Sequence, residues 1–597
     1  MKKILLYSVI LLLLARCSKV LDIPNLNGYN PDLVLNDPNV ANAYLGNIYS
    51  NVFGNWNISL DNQSDQLTGI VYPVNVVTTV AAGNLVAVPG TGNNDWSTNY
   101  NRIRLINQGI INAKLGGLSE QLKNSLLAQF YFLRSYVFFG LVKTYGGVPY
   151  IKVPQDRYTD SLNVPRNTTK ECFDFMISDI DSAIALLPRR IAPSSADWGR
   201  IDRNFAYAFK AKILLYKASP QFNPSSGWGN AYWAGAYMAN KAAYDTLRTQ
   251  GYTLISDYGE ISLSERNSEV VFSVTNQFPN KMAAWDVGAR PGSLSRGNAS
   301  VTPTWEMIKA FPMKDGKSYN DPTGKYYTAD TLQRYWLNRD PRFDKSIVWN
   351  AKVYPVAGTV DGYRQYTSIG IADVLDNFGV NPNSSTRSEN NNRYSGFFIL
   401  KNCNLGLTQA QVQQYDVDFV LMRFAEVMLN YAEAANETGH ADEALAILKQ
   451  IRQRAGIEPG SDGNYGITAN TREQVRQDIM DERNIELCFE GHRFNDLRRW
   501  RMFNIINARA KNGVESIAIN PNGTEMPLTT AKQRALANQL TETDFKYSLL
   551  QTPQSGVRIN TIPDSYYFAP IQQSVIAAAS KIEQNKDWGG TFDPTIQ

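Results

Sequence analysis

Apolar positions along the chain follow two regimes. In the first they recur every three or four residues, the period of a helix with one buried face. Leu122, Leu126, Leu127, Phe130, Leu133, Val137 and Leu141 trace such a stripe. The stripe predicts a long helix over 119–145, stopped by Gly146-Gly147-Val148-Pro149. The same period predicts helices over 38–53, with Pro38 in the first turn, over 100–115, and over 168–187 with Thr169 as cap. Further helices are predicted over 203–219 and over 231–250, closed by Gly251. The pattern returns over 419–438 and 441–455, hinged at Gly439, and again over 472–490 and 492–503. In the second regime the period is lost. Residues 54–98 are Gly, Asn, Thr, Val and Pro, and residues 252–417 are Gly, Pro, Asn and aromatic, with one clear strand at 269–274. Loop blocks of this length are usually functional or disordered. The tail, 504–597, is mixed.

The start of the chain stands apart. Met1-Lys2-Lys3 is basic, and residues 4–14 form an apolar run. That run is too short to span a bilayer, which takes about 20 residues, but it suits the core of an export signal. Leu14-Ala15-Arg16-Cys17 resembles a bacterial lipobox, with Arg16 where a small residue is usual. Residues 1–16 are therefore expected to be a lipoprotein signal peptide, Cys17 the lipidated first mature residue, and 17–37 a polar tether. Cys172, Cys403 and Cys488 remain, an odd number without short spacing. They make neither a disulfide framework nor a zinc site and are expected to be buried thiols.

Charge and chemistry narrow the function. Lys and Arg number 59 and Asp and Glu 55, a net charge of +4, which argues against a nucleic-acid binder. Only His440 and His492 are present, so a multi-histidine metal centre is nearly excluded and His-based triads have little room. No Gly-rich phosphate loop or nucleophile elbow occurs. The close carboxylate pairs are Asp61/Asp65, Glu426/Glu433 and Glu486/Glu490. The last two occupy ordinary helix positions, and no enzymatic activity is expected. Arg134, Arg342, Arg423, Glu486, Glu490, Arg493, Asp496, Arg498 and Arg499 read as a partly buried ion-pair network tying helices to loops. No cofactor is implied; Asp- and Asn-bearing loops leave room for a structural calcium, without a spaced EF-hand loop.

Aromatic residues make up 11% of the chain. Rings can cover the C–H faces of a sugar while amides, carboxylates and guanidinium groups take its hydroxyls. The first loop block offers Trp56, Asn57, Asn62, Asp65, Gln66, Tyr72 and Trp96; the second offers Trp285, Asp286, Arg290, Trp336 and Trp349. The leading ligand candidates are Trp285, Tyr72, Trp96, Asn62, Asp65 and Arg290. For Trp96, which precedes a helix, core packing is the competing reading. Trp305, Trp336 and Trp349 read as structural. Trp285 lies in a stretch with no period to bury it, so it could face ligand or core.

Within 418–455, Tyr431-Ala432, Gly439 and Ala444 lie where a tetratricopeptide unit puts its packing residues. Seven collinear stretches carry a wider resemblance. They are LLAQFYFLRSYVFFGLVKTYGGVPYI (126–151), VPRNTTKECFDFMISDIDSAIALLP (164–188), NSEVVF (267–272), NRDPRFDKSIV (338–348), RFAEVMLNYAEAANETGHADEALAILKQIRQRAG (423–456), IMDERNIELCFEGHRFNDLRRW (479–500) and YYFAPIQQSVI (566–576). Together with QNKDW at 584–588 they resemble the SusD/RagB family of outer-membrane nutrient-binding lipoproteins of the Bacteroidetes. The resemblance implies a mainly α fold over 38–597: about four tetratricopeptide-like helix pairs in an αα-superhelix, packed against a loop-rich lobe with a few short strands. The scaffold would comprise 38–53, 100–250 and 418–503, and the ligand lobe 54–98 and 252–417. It also implies capture of oligosaccharides by aromatic and polar loop residues, and delivery to a SusC-like TonB-dependent outer-membrane transporter. Peptide uptake, as in RagB-like relatives, is the alternative, and a glycosidase the more distant one.

Overall fold

The computed structural model describes residues 36–54, 64–69, 96–156, 158–283, 285–291, 294, 301–368, 371, 395–508, 512–551 and 562–596. The expected signal peptide, Cys17, most of the tether, Asn62 and Tyr72 lie outside the described residues.

Eight long helices make the scaffold: α1 (Pro38–Val52), α2 (Trp96–Leu115), α3 (Glu120–Tyr145), α4 (Thr169–Leu186), α5 (Arg203–Ala218), α6 (Tyr232–Thr249), α7 (Phe424–Glu437) and α8 (Ala441–Ala455). A ninth, α9 (Arg472–Glu486), follows. Each packs on its neighbour in chain order, and α9 closes onto α7 and α8. The result is the helical stack of the tetratricopeptide-like reading, with four consecutive pairs. Local chemistry sets the ends. Asp37 caps α1 through its side chain, with Pro38 in the first turn. Thr168 and Glu171 form a reciprocal capping box on α4, so the cap falls at Thr168, one residue before the expected Thr169. Gly146 ends α3 at φ 77°, and a Cβ there would sit 2.5 Å from Pro594.

Two boundaries differ from the periodic reading. Trp96 is not in a loop; it is the first residue of α2. Residues 419–423 continue the apolar run of α7 in sequence, yet they form a strand antiparallel to Val270–Val274. Val420 and its apolar neighbours satisfy their backbone on that ladder, and Phe424 N–H extends it to the Glu269 carbonyl at 2.8 Å. The mixed tail holds the longest strand pair, Asn512–Ala518 against Phe545–Gln551. Shorter antiparallel pairs join Leu67–Gly69 to Val301–Pro303 and Ile347–Val348 to Phe398–Ile399.

There are two main apolar cores. The scaffold core runs through all nine long helices and includes Phe130, Phe138, Phe205, Met428 and Ile479. The lobe core gathers Trp285, Trp305, Tyr335, Phe343, Trp349, Phe397 and Tyr547. A buried ion cluster joins them. Arg342, from the helix Pro341–Ser346, binds Asp340, Glu482 and Glu486 at 2.6–2.8 Å. Arg423 binds Glu269, Glu486 and Glu490 at 2.7–2.9 Å, and Arg454 and Lys401 complete the cluster. Burial alone would raise the Glu486 carboxyl, but Arg454, Arg423, Arg342 and Lys401 hold it well below the ordinary range. Glu490, partly buried beside it, is held down to about 2 by Arg423 and Lys401. Of the residues read from sequence as one network, Arg342, Arg423, Glu486 and Glu490 share this cluster. Arg134 pairs instead with Asp179, Arg493 with Asp65, and Arg499 with Asp496 and Glu433, while Arg498 donates to the Tyr566 carbonyl and has no ion pair among the described residues.

The C-terminal segment returns to the first helices. Ala569 N–H donates to the Thr144 carbonyl at 2.7 Å, and Asn585 Nδ2 to the carbonyls of Ala569 and Tyr145. Thr169 Oγ1 donates to the Pro594 carbonyl at 2.8 Å.

Candidate functional site

A groove of about 460 Å³ opens where the start of α2, the segment after α3 and the helix Gln573–Ala578 meet. Trp96 and Tyr100 supply its aromatic wall; Pro149, Ile151, Leu162 and Val575 supply aliphatic surface; Ser97, Gln155 and Ser574 add hydroxyls and an amide. Its size is typical of small-ligand sites, roughly 300–1,000 Å³. The walls are fixed from beneath. Trp96 meets Tyr145 edge-on with ring centroids 5.4 Å apart and lies 5.1 Å from Tyr100. Tyr100 Oη donates to the Pro149 carbonyl at 2.7 Å, which pins the loop after α3 to α2. Leu162 is 55% exposed and forms the outer lip. Trp96 retains 6% of its surface, so it serves mainly as packing and offers the groove only a small face. Rings beside hydroxyls and an amide can hold a sugar by its C–H face and its rim.

The structure does not bring the leading candidates together. Trp285 is 3% exposed, packs in the lobe core, and donates its indole N–H to the Lys401 carbonyl at 2.8 Å. It begins a short helix, Trp285–Ala289, whose pattern was too brief to show in sequence. Arg290 is fully buried: it pairs with Asp286 at 3.0 Å and donates to the carbonyls of Leu407 and Asn404. Asp286 accepts from Asn404 N–H, so this pair clasps the loop around 404 from inside. Asp65 is buried in a two-pronged pair with Arg493 at 2.8 and 3.0 Å. The expectation that Trp285, Arg290 and Asp65 face ligand is therefore corrected: each is committed to an internal partner distant in sequence. Trp96 lines this groove. Gln155 and the C-terminal residues Ser574 and Val575 escaped the sequence reading, because nothing local marks residues that meet only through the fold.

The other tryptophans read from sequence as structural are packed in the lobe. Trp305 and Trp349 are buried, the latter stacked on Phe343 at 5.1 Å. Trp336 packs against Tyr547 at 5.2 Å and is half-buried. Glu433 is bound by Arg499 and by the Trp500 indole N–H, so its carboxylate is engaged in the core. Cys172, Cys403 and Cys488 are buried free thiols. Among the described residues no group of three or more His, Cys, Asp or Glu is arranged to hold a metal ion.

The described residues form a helical stack carrying a lobe with a few short strands, and a surface groove opens where the start of α2 meets the C-terminal segment. The comparisons place the chain. Residues 262–588 match the model of the SusD family, and residues 33–215 match a second one described as starch-binding associating with outer membrane. The chain belongs to the SusD family. SusD-like protein P2 of Formosa agariphila is 24% identical over 431 residues, covering 68% of this chain and 72% of that protein. A SusD-like protein from Bacteroides fragilis has a TM-score of 0.69 at 22% identity, covering 93% of this chain and 98% of that one. A SusD-like carbohydrate binding protein from the same organism has a TM-score of 0.68 at 20% identity, covering 92% and 99%. These likenesses establish the mainly α fold.

Proposed function

We propose that this protein is a cell-surface lipoprotein, anchored through Cys17, that captures oligosaccharides and passes them to a SusC-like TonB-dependent transporter, without chemistry of its own. Membership of the SusD family carries the reading. The outer-membrane, starch-binding description of the second family model supports it, as does an aromatic groove rimmed by Ser97, Gln155 and Ser574. Lipid anchoring beside a transporter would raise the effective concentration of captured ligand there.

Calorimetric titration of the mature chain with soluble glycans and with peptide pools tests ligand class. Binding of a glycan, weakened in Gln155→Ala with an unchanged melting temperature, is expected. One hydrogen bond of about 0.5–1.5 kcal/mol corresponds to roughly two- to twelvefold in affinity. Binding of peptides alone would replace the glycan reading with peptide uptake. For delivery, membranes solubilised in mild detergent should yield a complex with a large β-barrel protein. Recovery of the free chain alone, ligand present, would sink the transporter partnership.

A further inference from the structure

The lining of the Trp96 groove is aliphatic and uncharged. Among the described residues none of its lining side chains is ionisable. Ile151, Leu162 and Val164 come from the segment after α3, and Val575, Ala579 and Ile582 from the helix Gln573–Ala578 and the residues after it. Polar side chains are few. Ser97 and Ser574 are exposed, and half-buried Gln155 already donates an amide N–H to the Ser161 carbonyl at 3.1 Å. Cations close by in sequence are not turned to the groove. Lys152 Nζ lies 3.6 Å from the centre of the Phe175 ring. Arg166 donates to the carbonyls of Tyr145, Gly147 and Glu583 at 2.7–2.9 Å. Lys581 is exposed and is not part of the lining.

Such a surface discriminates by what a sugar carries at C6. A carboxylate or sulfate brought here would lose its water without gaining a charged partner. The hydroxyl of an ordinary hydroxymethyl group, set against Val and Ile, would also lose hydrogen bonds to water. A methyl group loses none and buries apolar area. We propose that the groove selects an uncharged 6-deoxyhexose residue, its C6 methyl against the aliphatic surface around Val575 and its ring hydroxyls turned to Ser97, Ser574 and Gln155. This inference rests on the glycan reading of the groove and narrows it to one class of sugar.

The test presents the full mature chain with three methyl β-glycosides that differ only at C6: the 6-deoxyglucoside, the glucoside and the glucuronide. Binding is read by saturation-transfer NMR. The 6-deoxyglucoside should bind, the glucoside about tenfold more weakly, and the glucuronide not at all. Val575→Thr puts a hydroxyl into the wall at nearly constant volume and should erase the preference for the 6-deoxy sugar with an unchanged melting temperature. Leu162→Gln, an exposed change, repeats that test at the lip. Equal binding of glucoside and 6-deoxyglucoside, binding of the glucuronide, or a preference that survives both substitutions would overturn the inference and leave the groove a glycan site. No signal from any of the three glycosides would overturn it as well; calorimetric binding of longer glycans would then show that the glycan reading of the protein stands without it.

Discussion

At the scale of single residues, burial in this protein is decided by partners that sequence distance hides. Trp285 sits among Pro and Gly without a period, and no local rule could reveal that the Lys401 carbonyl receives its indole N–H at 2.8 Å. Asp65 is fixed by Arg493, 428 positions away. By contrast, readings that rested on local context hold: the three widely spaced cysteines are buried thiols, and Trp305 and Trp349 are core. Trp285→Ala removes a filled core volume and leaves a cavity. It should cost about 3–5 kcal/mol of folding stability, measured by denaturant unfolding. A normal unfolding midpoint would show that the indole contributes little to the lobe core.

At the scale of elements, the helices were legible because their stripes are long and their punctuation is explicit. The α3 stripe and its Gly146-Gly147 stop needed no tertiary information. The capping box of α4 is equally local: Thr168 Oγ1 accepts from Glu171 N–H at 3.2 Å, and Glu171 Oε2 from Thr168 N–H at 2.9 Å. Thr168→Ala should therefore lower stability by about 1 kcal/mol, seen as a lower midpoint with an unchanged denaturant slope. An undisturbed midpoint would make the cap dispensable. Short strands resisted the same reading. Phe419–Arg423 reads as the start of a helix because an apolar run of four does not distinguish the two forms, and its strand state depends on Val270–Val274. The pair Asn512–Ala518 and Phe545–Gln551 is separated by a helix and loops, so no turn signal joins them.

At the scale of the whole molecule, two apolar cores meet across a cluster of buried charges, and the acid response follows from groups near that seam. His492 is pushed down to about 4, by burial first, while Glu426 opposes the shift only partly. An ordinary histidine titrates near 6.5. Between pH 6.5 and 4 the unfolded chain therefore binds a proton at His492 that the folded chain does not, and stability falls as the pH is lowered through that window. His492→Asn should remove about 3 kcal/mol of that fall, read as a flatter dependence of the unfolding free energy on pH. Identical pH profiles for the two proteins would show that His492 is solvated. The helical stack itself was foreseeable from the number and spacing of helices. The groove was not, since its walls come from three parts of the chain that only the completed fold brings together.

The return of the last residues to the first helices sets an order of events. Thr144, Tyr145 and Thr169 receive their partners from Ala569, Asn585 and Pro594. Those partners are more than 400 positions later, so nearly the whole chain must be synthesised before the end of α3 can be sealed. The early helices can form as they emerge, but the groove beside Trp96 has no far wall until Val575 arrives. A ribosome that stalls before that point, or a protease that trims the tail, leaves a scaffold with its earliest helices unclosed and its groove unbuilt. Completion of the chain and completion of the groove thus coincide, and an unfinished copy has no finished groove.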